Sequence, residues 1–125
     1  MNPTFIKSLR ATADADPYTI AKAGAAFLES APASADDDAL IGTYDAQGAT
    51  SGDMADVIQG GWGEVKLGGT VAAGDMLTAD ASAHAVKIAA GETKRTIGMA
   101  MAPGVDGDVI PYLAQPGAAA VPAAV

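Results

Sequence analysis

The chain has 125 residues and a net charge of −8 at neutral pH, a size that fits one domain with one modest core. Half of its residues are hydrophobic, but 30 are alanine and only 23 are Leu, Ile, Val or Phe. Because alanine buries little apolar surface, the core is thin, and we expect the protein to self-associate for stability.

Several classes of protein are disfavoured by what the sequence lacks. It has no cysteine, which excludes disulfides and thiolate metal sites. The basic residues near Met1 are not followed by an apolar run, so no signal peptide is expected. No stretch approaches the roughly 18 consecutive apolar residues of a membrane span. The acidic charge argues against nucleic acid, because phosphate binding requires a basic surface. We expect neither a membrane nor a nucleic acid as partner.

Residues 1–16 are predicted to form an extended N-terminal arm. Phe5, Ile6 and Leu9 make a small apolar cluster beside Lys7 and Arg10, and the segment is locally basic in an acidic chain. A merely frayed terminus is the alternative interpretation.

Residues 17–115 are predicted to form a β-rich domain. Glycines recur so often that they leave room for strands of four to seven residues and little room for helices. The predicted strands are 18–23, 26–30, 40–44, 54–59, 64–67, 76–79, 85–88, 96–101 and 109–113. Two alanine-rich spans, 20–30 and 79–90, keep a helical alternative by propensity.

Residues 116–125 are predicted to be a flexible, low-complexity C-terminal tail, because Pro116 and Pro122 disfavour regular structure.

An internal repeat supports the β prediction. Ile41-Gly42 matches Ile97-Gly98, and Gly52-Asp53 matches Gly107-Asp108, with a third Gly-Asp at Gly74-Asp75. Glycine supplies a positive φ and aspartate accepts hydrogen bonds from nearby backbone donors, so Gly-Asp is suited to entering a strand after a turn. The predicted fold is mainly β, a small antiparallel barrel or sandwich with pseudo-symmetric halves.

The residues offer little catalytic or metal-binding chemistry. His84 is the single histidine, and a surface or packing role is favoured over a general base. Asp36, Asp37 and Asp38 are consecutive, so their side chains diverge and do not follow the alternating pattern of a calcium loop. The glycine-rich segments lack the Gly-Lys-Ser/Thr ending of a phosphate loop. We therefore expect a protein that is not an enzyme, with no catalytic residue, no metal and no cofactor.

Large aromatic residues are few in a chain this rich in alanine. Trp62 is predicted to contact a neighbouring subunit or the core, because one large ring buries far more surface than alanine. Tyr44 and Tyr112 are further candidates for subunit contacts. Stacking of Trp62 on a ligand such as a sugar is the alternative.

Four segments in order resemble the cement, or decoration, proteins of tailed-bacteriophage capsids: MNPTFIKS, PYTIAKAG, ALIGTYDAQGATSGDMADVIQGGWGEVKLGGTVAAGDMLTADASAHAV and RTIGMAMAPGVDGDVIPYLAQPG. The resemblance runs from Asn2 to Gly117. It implies a β-rich homotrimer, made in the bacterial host cytoplasm, that binds the major capsid protein on the outer surface of the head and clamps neighbouring subunits. The arm is then the candidate capsid contact, through Pro3, Phe5, Ile6, Lys7, Leu9 and Arg10. A head-fibre or adhesion module that binds cell-surface glycan is the alternative.

Overall fold

The structure is a computed structural model that describes residues 3–122, with side chains from Phe5 onward. This range contains nine β-strands and no helix, which confirms the predicted mainly β fold. The strands are β1 (Pro3–Ala11), β2 (Ile20–Ala23), β3 (Glu29–Pro32), β4 (Leu40–Tyr44), β5 (Met54–Lys66), β6 (Met76–Ala79), β7 (Ala85–Lys87), β8 (Thr93–Ala100) and β9 (Val109–Ala120).

The first part of the chain, called the first unit (residues 3–59), closes into a five-stranded barrel. Its strands follow the order β1-β3-β2-β4-β5, and β5 pairs back with β1 in antiparallel register from Arg10↔Met54 to Pro3↔Gly61. The β1–β3 pairing is parallel and short. Closure satisfies the backbone groups that an edge strand would leave open.

The second unit (residues 62–114) repeats this strand order. The second half of β5 pairs with β9, β9 with β8, β8 with β6 and β6 with β7. A parallel bridge between Leu67 and Ala85 joins β7 to the end of β5. The long strand β5 therefore ends the first unit and begins the second, and it bends at Gly61, whose φ is 74°.

The three Gly-Asp turns are built alike, as the repeat predicted. Gly52, Gly74 and Gly107 have φ values of 90°, 94° and 91°. In each turn the glycine N–H donates to the backbone carbonyl of a residue at the end of a strand. The N–H of that same residue donates to the backbone carbonyl of the aspartate. At Ala100 these two bonds measure 2.7 and 2.8 Å. The Asp75 and Asp108 carboxylates also accept backbone N–H groups within their own turns.

The Ile-Gly pairs of the repeat mark matching irregularities in the strands. Gly42 and Gly98 have φ values of 150° and 139°, and a Cβ atom there would lie about 2 Å from the carbonyl oxygens of Ile58 and Leu113. Register shifts occur in the pairings of both β4 and β8. Only glycine allows this close approach of two backbones.

Two apolar clusters fill the molecule. The smaller cluster lies in the first unit, around Leu9, Tyr44 and Val57. The larger cluster fills the second unit with aliphatic residues such as Leu67, and it extends into the first unit through Ile20.

The predicted N-terminal arm is wrong for residues 3–11, because these residues form a strand of the barrel. Leu9 and Ala11 alternate with exposed Ser8 and Arg10 and are buried in the first-unit cluster. This alternation is short, and one of its two buried residues is alanine. It is therefore a weaker signal in the sequence than the neighbouring basic residues.

The predicted flexible tail is wrong for residues 116–120, which continue β9 and pair with β8. Pro116 fits because the register slips here: Thr96 pairs with Gly117 and Gly98 pairs with Ala114. A proline without an N–H donor is tolerated at such a bulge. Residues 123–125 lie outside the described residues.

Most predicted strands exist with shifted ends. The predicted strands 54–59 and 64–67 are one continuous strand, because Gly60 and Gly61 bend β5 without ending it. The predicted strand 26–30 begins later, at Glu29, because residues 24–28 make the turn between β2 and β3. Both alanine-rich spans are strands and turns, so the helical alternative is wrong.

Candidate docking surface

The pairing of β1 with β5 is irregular where two consecutive large apolar side chains of β1 lie exposed on the outside of the first unit. Phe5 pairs with Gly60 and Ile6 pairs with Ile58, so β5 has one extra residue at this point. Bulges re-aim side chains and break the usual alternation of faces. As a result Phe5 is 53% exposed and Ile6 is 46% exposed.

Ile6 and Trp62 share a shallow cleft with a volume of about 200 Å³, which we call the Ile6–Trp62 cleft. It is lined by Ile6, Tyr18, Asp45, Ala46, Ile58, Trp62, Gly63 and Glu64. Trp62 stays 40% exposed. Gly63 packs closely on the core, since a Cβ atom there would lie 2.9 Å from the ring of Tyr112. The lining is mainly apolar and includes two acidic residues.

The predicted capsid contacts have different positions. Phe5, Ile6, Lys7 and Arg10 are exposed, and Arg10 donates one hydrogen bond of 3.2 Å to the carbonyl oxygen of Gly52. Leu9 is wrong as a contact, because it is 6% exposed and packs inside the barrel. The side chain of Pro3 lies outside the described residues.

Two of the three predicted subunit contacts are wrong. Tyr44 and Tyr112 are both 0% exposed within one protomer. The Tyr44 hydroxyl donates to Ser30 Oγ at 3.0 Å, and the Tyr112 hydroxyl lies 2.8 Å from Thr43 Oγ1. Burial raises the pKa of each tyrosine above its usual value. Each ring fills a core that alanine leaves underpacked, and only Trp62 of the three reaches the surface.

The aspartate run is part of a turn. Asp38 accepts the N–H groups of Ser34 and Ala35 at 2.9 and 3.1 Å and lies 3.5 Å from Lys22 Nζ. The bond from the Ser34 N–H is the main cause that lowers the pKa of the Asp38 carboxyl, and Lys22 adds to it. Asp36 forms a 2.9 Å ion pair with Lys94. These carboxylates stabilise the loop between β3 and β4.

His84 lies in the turn between β6 and β7. Its backbone N–H donates to the Asp80 carboxylate at 3.0 Å, and the side chain is half-buried beside Gly68. Over residues 3–122, no group of three or more His, Asp or Glu side chains is placed to hold a metal ion.

No helix in this same range is long and apolar enough to span a membrane.

A second concavity, of about 560 Å³, lies where the two units meet. Its lining is small and polar, with the carboxylates of Asp14 and Asp16, the hydroxyls of Thr19 and Ser82, and several alanines. Its lining contains no aromatic side chain, no histidine and no lysine or arginine.

The most exposed large apolar side chain of the described residues is one that sequence reasoning missed. Phe27 is 89% exposed in the turn between β2 and β3, next to Leu28, which is 41% exposed. We call residues 25–28 the Phe27 tip. These residues had been assigned to a strand, where Phe27 would be half-buried. The preceding Gly24-Ala25-Ala26 was the available signal for a turn.

Comparisons with known proteins give a fold likeness. No family model matches the chain, and no curated protein is similar to it. The crystal structure of the head fibre gp8.5 N base in bacteriophage phi29 has a TM-score of 0.66 with this chain at 16% identity. The alignment covers 89% of this chain and 93% of that one. The two chains share a fold over nearly their whole length.

Proposed function

We propose that this chain is a structural protein of a bacteriophage head, located on the outer surface of the capsid and without enzymatic activity. The observation that carries the proposal is the shared fold with a phage head fibre base over nearly the entire chain. The resemblance of the sequence to capsid cement proteins agrees with a role on the head.

The finer proposal is decoration: a homotrimer binds the major capsid protein and clamps neighbouring subunits. The exposed strip of β1 supports it, because Phe5 and Lys7 combine apolar area with positive charge on an acidic molecule. Several weak contacts, one from each copy, gain affinity through effective concentration.

A second candidate is a head-fibre base that carries an outward-facing adhesion module. The structural neighbour is itself a head fibre base, which favours it. The Ile6–Trp62 cleft adds a reason, because Trp62 and Tyr18 offer aromatic faces on which a sugar can stack. Binding to a glycan array that Trp62→Ala abolishes would favour this candidate over decoration.

The test of decoration uses expanded heads of the phage that encodes the chain, prepared without this protein. Removing residues 2–10 would delete a barrel strand, so point variants are needed. Wild-type protein is expected to saturate the heads, whereas Phe5→Asp with Lys7→Glu is expected to lower occupancy at least tenfold. Val105→Asp, at an exposed turn of the second unit, is the matched control. Unchanged occupancy of the double variant would refute the β1 contact, and heads that bind no wild-type protein would refute decoration.

A further inference from the structure

The first half of β1 is paired on one side only. Residues 5–10 run antiparallel to β5, but β3 meets β1 no earlier than Arg10 and Ala11, because β3 begins after the Phe27 tip. No other strand of the described chain pairs with β1. The barrel is therefore closed at Arg10 and open beside the residues that precede it.

This open edge presents unpaired backbone groups. The Arg10 N–H donates to the Leu28 carbonyl at 2.8 Å, whereas the Ala11 N–H donates on the side of β5 at 2.9 Å. Backbone groups of a strand point alternately to its two sides, and the pairing with β5 is regular from Ile6 to Arg10. The N–H and carbonyl groups of Ile6 and Ser8 therefore point to the open side, where no described strand pairs with them.

The side chains in this part of β1 are uncovered as well. Leu9 and Ala11 face the barrel interior and are buried. Lys7 lies on the same face of the strand by alternation, yet it is exposed, as are residues 5, 6 and 8. This part of β1 is thus accessible on both faces and along one edge.

The repeat shows what covers the corresponding edge of the second unit. Lys66 corresponds to Arg10, because each pairs with the residue after a Gly-Asp turn, Val109 and Met54 respectively. The Lys66 N–H donates at 2.9 Å to the carbonyl of Tyr18, which belongs to the first unit. A backbone segment from outside the second unit therefore bonds to its edge strand. In the first unit Arg10 bonds within the unit, and the open part begins at Ser8.

A second copy of β1 does not suit this edge within the proposed homotrimer. Two identical edges pair around a two-fold axis, which joins copies in twos. A register centred on Lys7 would also place two lysines directly opposite each other, which is destabilising. Self-pairing cannot satisfy all three copies of a trimer, so the edge is left for a different protein.

We propose that an extended segment of the major capsid protein adds to the open edge of β1 as a further strand. This inference rests on the decoration role of the proposed function and specifies its contact. Main-chain hydrogen bonds to Ile6 and Ser8 supply the affinity of such strand addition. Phe5 and Ile6 add apolar area, and Lys7 favours an acidic residue on the incoming strand.

Ser8→Pro tests the edge directly. Proline removes the N–H that points to the open side, and an edge strand tolerates this because the hydrogen bonds to β5 come from the neighbouring residues. On expanded heads prepared without this protein, the occupancy of Ser8→Pro should fall by about tenfold or more.

Two control variants separate the edge from other effects of this substitution. Asp56→Ala breaks the 2.7 Å bond that the Ser8 hydroxyl donates to Asp56, and it should keep the wild-type occupancy. Ala118→Pro places a proline on β9, where Ala118 lies beyond the residues that pair with β5, and it should also keep that occupancy. Ser8→Pro heads with wild-type occupancy would overturn strand addition and leave decoration standing, whereas wild-type protein that binds no heads would refute decoration itself. A Ser8→Pro variant that loses the trimer in light scattering without heads would assign the edge to a second copy, against the proposal.

Hydrogen exchange on the wild-type protein gives a test that does not depend on how a variant folds. The amides of Ile6 and Ser8 should exchange rapidly in the free protein and slowly on decorated heads, because strand addition bonds them. Residues 115–120 of β9 should show the same exchange in both states. Unchanged exchange of residues 5–9 on decorated heads would contradict the proposal.

Discussion

The two units of this protein have the same strand order but very different fillings. The first unit closes around Leu9, Tyr44 and Val57, whereas the second packs a larger cluster of aliphatic residues and Tyr112. The equivalent turns also differ, since the one at Ala83 is buried by the first unit and the one at Leu28 is exposed. The two units therefore share their backbone irregularities. The side chains in each turn decide whether that turn packs within the protomer or faces outward.

The largest expected effect tests whether the two glycine bulges are equivalent. Gly98→Ala and Gly42→Ala each place a Cβ atom about 2 Å from a backbone oxygen. Each should lower the free energy of unfolding by about 3 kcal/mol or more, because the clash adds to a strained φ. Denaturant-induced unfolding measures this change in the free energy of unfolding.

Gly74→Ala is the control for the glycine substitutions. It has a φ of 94° but open space around the new Cβ atom, so it should cost only about 1 kcal/mol. Equal costs at Gly74 and Gly98 would show that the close backbone approach is not what these bulges require.

A smaller effect compares the two buried tyrosines. Tyr112→Phe leaves the hydroxyl of Thr43 without its partner in the core and should destabilise the protein by about 1–3 kcal/mol. Adding Thr43→Val should recover much of that loss, because both ends of the bond are then apolar. Tyr44→Phe with Ser30→Ala is the matched cycle in the first unit. A double variant at Tyr112 and Thr43 as unstable as the summed single variants would contradict a paired contact.

The same tyrosines predict a fall in stability at high pH. Burial raises the pKa of both hydroxyls, so the unfolded chain loses these protons first. Their contribution is fully present below the unfolded pKa of about 10 and is lost as the pH rises above it. Melting temperatures measured from pH 8 to 11 should fall above pH 10, and the fall should be shallower in Tyr112→Phe. Identical pH profiles for wild type and Tyr112→Phe would show that Tyr112 does not contribute to the loss of stability at high pH.

The smallest effect concerns the two left-handed turn residues. Leu28→Gly should raise the free energy of unfolding by about 0.5–1 kcal/mol, because glycine adopts this φ without strain. Ala83→Gly gives the matched gain in the other unit, reduced by the packing that Ala83 loses. A Leu28→Gly variant no more stable than wild type would contradict strain at Leu28.

The sequence predicted the fold better than the surface. Frequent glycines and the Ile-Gly and Gly-Asp pairs identified the β class, the repeat and the turns, because each depends on local backbone geometry. The role of residues 3–11 depends instead on pairing with residues 54–61, far along the chain, which no local pattern encodes. Ile6 and Trp62 were each predicted to be contact residues. The cleft that they share forms only because β1 pairs with β5.

Burial was the other property that local patterns did not reveal. Tyr44 and Tyr112 were expected at the surface because they are rare and large. Their hydroxyls instead bond inside the core to Ser30 and Thr43, on strands that do not pair with their own. Phe27 was missed because it was assigned to a strand, where its side chain would be half-buried. It lies instead in the turn that begins at Gly24, where the ring is exposed.

The most direct test of the central claim is cryo-electron microscopy of expanded heads that carry the wild-type chain. We predict density for three copies around a three-fold or quasi-three-fold axis on the outer surface, with β1 facing the major capsid protein. Heads without this density, after incubation at saturating concentrations, would contradict the proposed function.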